Sequence, residues 1–221
     1  MKRLLGGALF ASVAAASATS NPASRNPLSN AQVIALVKDL SANAPRAVEV
    51  TSAALAGKLS DDNPYAETSD EASVFSALAA GLTESGRMIS LDWAEGMEES
   101  KAEFAAFFEK AGLGAEKPLA ELTGKVPVER GDAVGLVYLA FRPVADAAGM
   151  RIFGLNADSD THHFVLVPVA VAERWQSVKI GDNQYLEDSD WQFLALIETA
   201  GIKPRSTRHP ADSERPAPAI P

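Results

Sequence analysis

The chain has 221 residues, 47% of them hydrophobic, no cysteine, and a formal net charge of −9. The hydrophobic share excludes wholesale disorder, and the length suits one large domain or two small ones. The negative charge argues against nucleic acid as a partner, because binding to phosphate backbones needs clustered Lys and Arg. Without cysteine the chain has no disulfide, no thiol catalysis, no zinc–thiolate site and no lipidated lipoprotein N-terminus.

Residues 1–18 have the features of a secretory signal peptide. Lys2 and Arg3 precede an uncharged run of small and apolar residues, which ends in Ala-Ser-Ala before a predicted cleavage point after Ala18. The run is too short to span a bilayer. The alternatives are a buried or frayed N-terminal helix, or a start codon placed too far upstream. We predict a periplasmic or secreted protein.

Cleavage of this leader changes the charge of the protein. It removes Lys2 and Arg3, which leaves 18 basic against 29 acidic residues and a formal charge of −11. A surface of this charge has little affinity for anionic lipid, so no membrane association is expected after cleavage.

The first part of the mature chain is predicted to be helical. Residues 19–28 are polar and contain proline, which predicts a linker. Ser29 and Gln32 form a capping box at the start of the first helix. Pro45 suits the first turn of a second helix, and apolar residues at helical spacing predict a third helix that ends at Gly86.

The spacing of apolar residues changes from helical to alternating over 88–93, which predicts a strand. A Phe-rich amphipathic helix is predicted over 96–111. Asp132 is expected to cap a further helix, which Pro143 should kink or divide before the segment stops at Gly149.

Two strands are predicted over 150–157 and 161–168, joined by a polar turn of hairpin length. Both are apolar on both faces in their middles, so we expect them to be central, with helices covering one side. Helices are predicted at about 169–177 and 189–200, the latter capped by Asp188 or Ser189.

These elements together predict one α+β domain over residues 29–201. Its architecture is a small, mainly antiparallel sheet packed by helices. Residues 202–221 contain five prolines and few apolar side chains, which predicts a disordered tail.

The hairpin turn is the best candidate for a metal site in the sequence. Asn156, Asp158 and Asp160 place oxygen-bearing side chains at alternate positions, as the start of an EF-hand loop does. The rest of that motif is missing, since its sixth position is Thr161 and its twelfth is Val167. Turn chemistry alone also explains these residues, and we favour that interpretation.

A second Asp-Ser-Asp occurs at 188–190, beside Asp182 and Glu187. These carboxylates are explained by the N-terminus of a helix, where negative charge is favourable. Alternatively, the two acidic turns converge in space and bind one divalent cation.

His162 and His163 are adjacent on a predicted strand, so their side chains should point to opposite faces. They are therefore not expected to ligate one metal together. One of them could form an acid–base pair with Asp160 or Asp92. We favour the alternative of one exposed histidine and one core histidine that is satisfied by hydrogen bonds.

Asp92 and Trp93 combine a carboxylate with an indole at the end of a strand. Such a pair can line a carbohydrate or peptide groove. The alternative is that Trp93 packs in the core and Asp92 caps the next helix at Gly96 or Met97.

The Leu-Asp-Trp segment at 91–93, the acidic Phe-rich helix after it, and residues 149–168 (GMRIFGLNADSDTHHFVLVP) occur together. The combination resembles an uncharacterised bacterial domain family of unknown function, whose members pair an L-D-W segment with a late hairpin, G-L-x-L-x-x-L-x-T-D-S-D-x-Y-x-L-x-L-V. The chain departs from that pattern at the His162–His163 pair, where tyrosine is usual, and in its leader and Pro-rich tail. The resemblance covers roughly residues 30–200 and implies an α+β fold in one domain. It carries over no catalytic residue.

The sequence contains no HExxH, GxxxxGK[ST], GxSxG or strand-linked GxGxxG motif. No cofactor is predicted, and the balance favours a non-enzyme. The leading hypothesis is an exported acidic module that binds a protein partner, in particular a basic one, through charge. The alternatives are a hydrolase-type enzyme that uses Asp92, Asp158, Asp160 and a histidine at strand ends, and a domain that binds a divalent cation.

Overall fold

The computed structural model describes residues 28–59, 62–65, 73–122, 131–157, 159–182, 184–190, 192–199 and 201. Within these residues, five strands form one sheet in the order β1-β3-β2-β5-β4, and every neighbouring pair is antiparallel. The strands are β1 (Met88–Asp92), β2 (Met150–Asn156), β3 (Thr161–Pro168), β4 (Lys179–Gly181) and β5 (Gln184–Asp188).

Eight helices surround the sheet in the described part of the chain. They are α1 (Asn30–Leu40), α2 (Pro45–Leu55), α3 (Val74–Glu84), α4 (Met97–Lys110), α5 (Glu116–Glu121), α6 (Asp132–Ala147), α7 (Val169–Trp175) and α8 (Leu194–Thr199). The predicted α+β fold in a single domain is confirmed. The predicted leader, the tail over 202–221 and most of the predicted linker lie outside the described residues.

Helices cover both faces of the sheet, so the expectation that they cover one side was wrong. α1, α2, α3 and α7 pack on one face and enclose a first core, to which the sheet contributes Phe153, Leu155 and Val165. α4, α5, α6 and α8 pack on the other face and enclose a second core, to which the sheet contributes Ile152 and Phe164. The reason is that β2 and β3 carry apolar side chains alternately on both faces, and each face needs its own cover.

The two central strands are the predicted hairpin. β3 lies between β1 and β2, and β2 lies between β3 and β5. In the second core, the rings of Phe104, Phe108, Phe141 and Phe164 lie with neighbouring centroids 4.8–6.5 Å apart. Aromatic packing at these separations adds to the burial of apolar area that holds α4 and α6 on the sheet.

Local sequence signals explain where several helices begin. At α1 the Ser29 hydroxyl accepts from the Gln32 backbone N–H and the Gln32 side chain accepts from the Ser29 N–H, so the predicted capping box is confirmed. Pro45 occupies the first turn of α2, where its missing N–H costs nothing. Leu28, the last residue of the predicted linker, is 4% exposed and packs in the first core.

The prediction for the chain after α7 was wrong in three elements. β4 and β5 were missed, and the last helix begins at Leu194 instead of about 189, so neither Asp188 nor Ser189 caps it. β4 is too short to show a period. In β5 the acidic residues suggested a solvated helix start, whereas Glu187 and Asp188 are 1% and 5% exposed.

Two helical segments in the middle of the chain also differ from expectation. α5 was not predicted, because six residues with a proline inside give no clear period. α6 runs through Pro143 as one helix, so the expected second segment does not form. Pro143 lies on the exposed side of α6, where a carbonyl that loses its helical partner can be hydrated.

Gly81 sets the close approach of α2 and α3. A Cβ at this position would lie 2.1 Å from Thr51 Oγ1 and 2.5 Å from the carbonyl oxygen of Ala47. The backbone oxygen cannot move without shifting α2. Thr51 is itself fully buried and donates its hydroxyl to the Ala77 carbonyl oxygen across the same interface at 3.1 Å.

Replacing Gly81 with alanine is expected to lower the free energy of unfolding by about 1–3 kcal/mol, as measured by urea denaturation, because an overpacked contact must be relieved by moving backbone. The matched control is Gly114→Ala, since nothing lies within 4 Å of the added Cβ there. That control should change the stability by less than about 0.5 kcal/mol. Equal stability of both variants and the wild type would contradict the tight crossing.

Candidate functional site

The polar candidates of the sequence meet at one end of the sheet. Leu91 pairs with His162 and Asp92 with Thr161 in the antiparallel ladder between β1 and β3. Beyond the last pair, the Trp93 N–H donates to the Asp160 carbonyl oxygen at 2.7 Å. This register brings Asp92, Trp93, Asp160 and His162 to the same edge, beside the turn between β2 and β3.

An open pocket of about 320 Å³ lies at this edge. Its lining is polar and consists of Asn156, Ser159, Asp160, Thr161, His162 and Gln192. Three of the predicted site residues (Asn156, Asp160 and His162) therefore share one pocket. Asp92 and Trp93 lie next to it and do not line it, and Asp158 lies outside the described residues.

The two histidines point to opposite faces of the sheet, as strand alternation requires. His163 is 5% exposed in the first core, where its Nδ1 lies 2.8 Å from the Ser90 hydroxyl and its ring packs on Phe75. Burial, assisted by repulsion from His162, lowers the pKa of His163 to about 4. His163 is therefore a neutral core residue, as the favoured alternative stated.

His162 is half-buried and forms one wall of the pocket. Its ring lies 5.0 Å from that of Phe193. Burial lowers its pKa, and the Gln192 side chain and the charge of Asp92 oppose that shift. The histidine expected to be exposed is half-buried in the structure, because Phe193 lies against its ring.

Asp92 does not cap the next helix and Trp93 does not pack in the core, in contrast to the structural alternatives considered above. The Asp92 carboxylate accepts from the Ala94 N–H at 2.8 Å, within the turn after β1. It does not cap α4, whose N-cap is Gly96 without a side-chain bond. Trp93 is 38% exposed rather than buried, and Gly131 lies so close to its ring that a Cβ there would be 2.8 Å from a ring carbon.

The second acidic turn is a structural element of the interior. Tyr138 donates its hydroxyl to Asp190 Oδ1, and Arg142 donates to Asp190 Oδ2 at 2.9 Å. Asp188 Oδ1 accepts from the Asp190 N–H at 3.0 Å, and its other oxygen lies 3.9 Å from Arg151 Nε. These carboxylates anchor the turn after β5 to α6 and β2, so they do not converge with the hairpin turn on a shared cation.

No group of three metal-ligating side chains is brought together within the part of the chain that the structure describes. Of the proposed metal ligands, Asn156 donates its amide to Glu187 Oε1 at 3.0 Å, and Asp160 lies on the exposed rim of the pocket. Asp158, the middle ligand of the predicted loop, lies outside the described residues.

Glu187 is the functional candidate that sequence reasoning missed. It lies on β5 opposite Gly154, on the sheet face of the second core, and is 1% exposed. Burial raises the pKa of its carboxyl to about 7, and the Asn156 and Gln192 side chains offset part of that shift. No sequence signal identifies it, because its environment depends on the pairing of two strands that are distant in the chain.

Three buried acceptor atoms lie together behind the pocket. Glu187 Oε2, Ser189 Oγ and Gln192 Oε1 have no hydrogen-bond partner among the residues that the structure describes. Gly154 allows Gln192 to lie against the sheet here, because a Cβ would be 2.5 Å from Gln192 Nε2 and 3.5 Å from Ser189 Oγ. A buried acceptor without a donor is costly, so this cluster is suited to receive donors.

Residues 32–197 match a protein family described as a domain of unknown function (DUF6630). The chain belongs to this family. The match covers most of the described domain, including the sheet, both helical layers and the pocket, in agreement with the resemblance read from the sequence. No curated protein and no solved structure matches the chain.

The titration of Glu187 predicts a pH-dependent stability. The folded state keeps a proton on Glu187 between about pH 4.5 and 7, where the unfolded chain has lost it. The native state therefore loses stability as the pH rises through this window. Glu187→Gln mimics the protonated carboxyl, so it should match the wild type near pH 4.5 and exceed its stability by about 2–3 kcal/mol above pH 7.

Urea unfolding of both proteins across this pH range measures the effect. Glu103→Gln is the control, since Glu103 is exposed on α4. Its difference from the wild type should not change with pH. His163 has the opposite effect, because the native state of the protein loses stability as the pH falls from 6.5 towards 4. This effect is common to all three proteins and cancels in the differences. A constant difference for Glu187→Gln would contradict the assignment.

Proposed function

We propose that this protein is an exported, acidic, non-catalytic module that binds a basic protein partner at the polar pocket. The observation that carries the proposal is an open pocket with the Asp160 carboxylate on its rim and the exposed Trp93 beside it. Among the described residues, Trp93 is the one large apolar side chain that is exposed. An aromatic anchor next to a charged, hydrogen-bonding depression is a common composition for a protein-binding surface.

The charge of the chain supports a basic partner. After removal of the leader, 18 basic residues face 29 acidic ones. A field of this sign increases the rate of encounter with a positively charged protein and weakens with salt. None of the helices in the described part is long and apolar enough to cross a membrane.

The use of the other acidic groups also supports binding over catalysis. Asp188 and Asp190 contact arginines and a tyrosine, and Asp92 accepts a hydrogen bond within its own turn. These carboxylates position backbone and helices. One observation favours the alternative of a hydrolase-type enzyme. Asp160 and His162 line the same pocket, and an acid–base pair there could act on a bound substrate.

Export is tested by expressing the full chain in a bacterial host that has a periplasm. We expect the protein in the periplasmic fraction, with Thr19 as its first residue by N-terminal sequencing, because the leader is removed after Ala18. A chain that begins at residue 19 serves as control and should stay in the cytoplasm. Cytoplasmic protein that retains Met1 would contradict export.

Binding is tested with the chain of residues 19–221 and a lysine-rich basic peptide at low salt. Asp160→Asn is expected to weaken binding about 3–10-fold, since a charge on the rim of a pocket contributes roughly one kcal/mol at low ionic strength. Glu103→Gln removes the same charge from an exposed site on α4 and should change the affinity less than about 2-fold.

Intrinsic tryptophan fluorescence, to which the exposed Trp93 contributes, reports complex formation in this assay. Equal losses in the two variants would show only diffuse charge attraction and would contradict the pocket as the binding surface. Turnover of a peptide or ester substrate that His162→Gln abolishes would favour the enzyme instead.

A further inference from the structure

We propose that the acceptor cluster behind the pocket, formed by Glu187, Ser189 and Gln192, is a specific site for a primary ammonium group on an alkyl chain. The proposal deepens the binding function above and rests on it. It names the chemical group of the partner that the pocket recognises, which is a lysine side chain.

The number and kind of unpartnered atoms in the cluster match an ammonium group. Glu187 Oε2, Ser189 Oγ and Gln192 Oε1 are buried acceptors without a donor in the described structure. A lysine ammonium carries three donors and no acceptor, so it matches three free acceptors. Its compact charge on a flexible stem also suits a site that lies behind the lining of a pocket.

The cluster lies directly behind two residues of the pocket lining. Asn156 and Gln192 line the pocket, and both side chains face Glu187. The Asn156 amide donates to Glu187 Oε1 at 3.0 Å and thereby holds the carboxyl with its second oxygen free. The absence of a side chain at Gly154 lets Gln192 lie over the sheet beside Ser189, since a Cβ there would be 2.5 Å from Gln192 Nε2. In the proposed complex the Gln192 side chain turns aside, the ammonium enters between Asn156 and Gln192, and its alkyl stem remains in the pocket.

The charged groups around the cluster favour a bound cation. Around the cluster, Asp160 lies on the rim of the pocket, and burial holds His162 on β3 towards its neutral form. Asp188, the next residue on β5, is paired with Arg151. Arg142 and Arg151 form ion pairs with Asp190, Asp188 and Asp146. The site is therefore negative once Glu187 ionises, and a bound cation favours that ionisation.

The experiment titrates the chain of residues 19–221 with N-acetyl-lysine methylamide and follows backbone amide chemical shifts by NMR at pH 7.5. The norleucine analogue has the same stem without the charge and is expected to cause no saturable shifts. Shifts in the lysine titration should centre on residues 154–156 and 187–192. Equal shifts with lysine and norleucine would overturn the proposal.

Variants separate the cluster from the rest of the pocket. Glu187→Gln is expected to weaken lysine binding at least about 10-fold, since it removes the one charge in the cluster. Ser189→Ala should weaken it about 3–5-fold, as expected for the loss of one acceptor. Glu103→Gln should leave it within about 2-fold. Glu187→Gln is nearly isosteric, and its folding is checked by the same NMR spectrum.

Two further ligands distinguish the sources of the ammonium group. If n-butylammonium binds as tightly as the lysine derivative, the site recognises a free alkylamine, and tighter binding of the lysine derivative indicates a peptide-borne lysine; both results support an ammonium site. Tighter binding of N-acetyl-arginine methylamide would overturn it in favour of a guanidinium site.

The same titrations separate this proposal from the proposed function. If the lysine-rich peptide binds the wild type and Glu187→Gln equally, the ammonium site is overturned and the binding module stands. If neither the peptide nor the lysine derivative binds at low salt, both are overturned.

Discussion

The structure depends on a hairpin that is apolar on both of its faces. β2 and β3 send Phe153, Leu155 and Val165 to one side and Ile152 and Phe164 to the other. A strand pair of this kind is stable only when both sides are removed from water, so the chain must supply two helical layers. The N-terminal helices and α7 form one layer, and α4 to α6 with α8 form the other.

Several polar groups of this sheet lie towards the ends of its strands, and some of them are buried there. Asp188 and Asp190 follow directly from a strand packed in the interior, and arginines on β2 and α6 compensate their charge. Removing one partner from such a pair would leave an uncompensated buried charge, which makes these contacts strong constraints on where the turn after β5 lies. They are the reason that the second acidic turn is a structural feature.

Glu187 differs from its two acidic neighbours because no arginine or lysine contact compensates its charge within the described residues. Its carboxyl receives one amide hydrogen bond, and its other oxygen is left without a donor next to an open pocket. Three unsatisfied polar atoms of the described structure therefore lie directly behind an open pocket. Natural proteins concentrate such departures from good hydrogen bonding at sites of function, which links the geometry to the binding function that we propose.

Local patterns in the sequence determined the helices with clear caps or periods, the hairpin, the central position of its strands, and the opposite orientations of His162 and His163. These features depend on residues that are close in the chain, so spacing and turn chemistry are sufficient to predict them. Asn156, Asp160 and His162 were found as site candidates for the same reason, since all three belong to the hairpin. The family and the single α+β domain were also accessible from short motifs.

Only the tertiary structure decided which face each helix covers, that Asp188 and Asp190 are buried anchors, and that Gln192 lines the pocket with Glu187 buried behind it. The position of Glu187, for example, depends on the pairing of β5 with β2. This pairing places Glu187 opposite Gly154, more than 25 residues away along the chain. An acidic residue beside a turn has the same appearance in sequence whether it is solvated or buried. Its energetics, and hence its chemistry, follow from the partners that the fold brings to it.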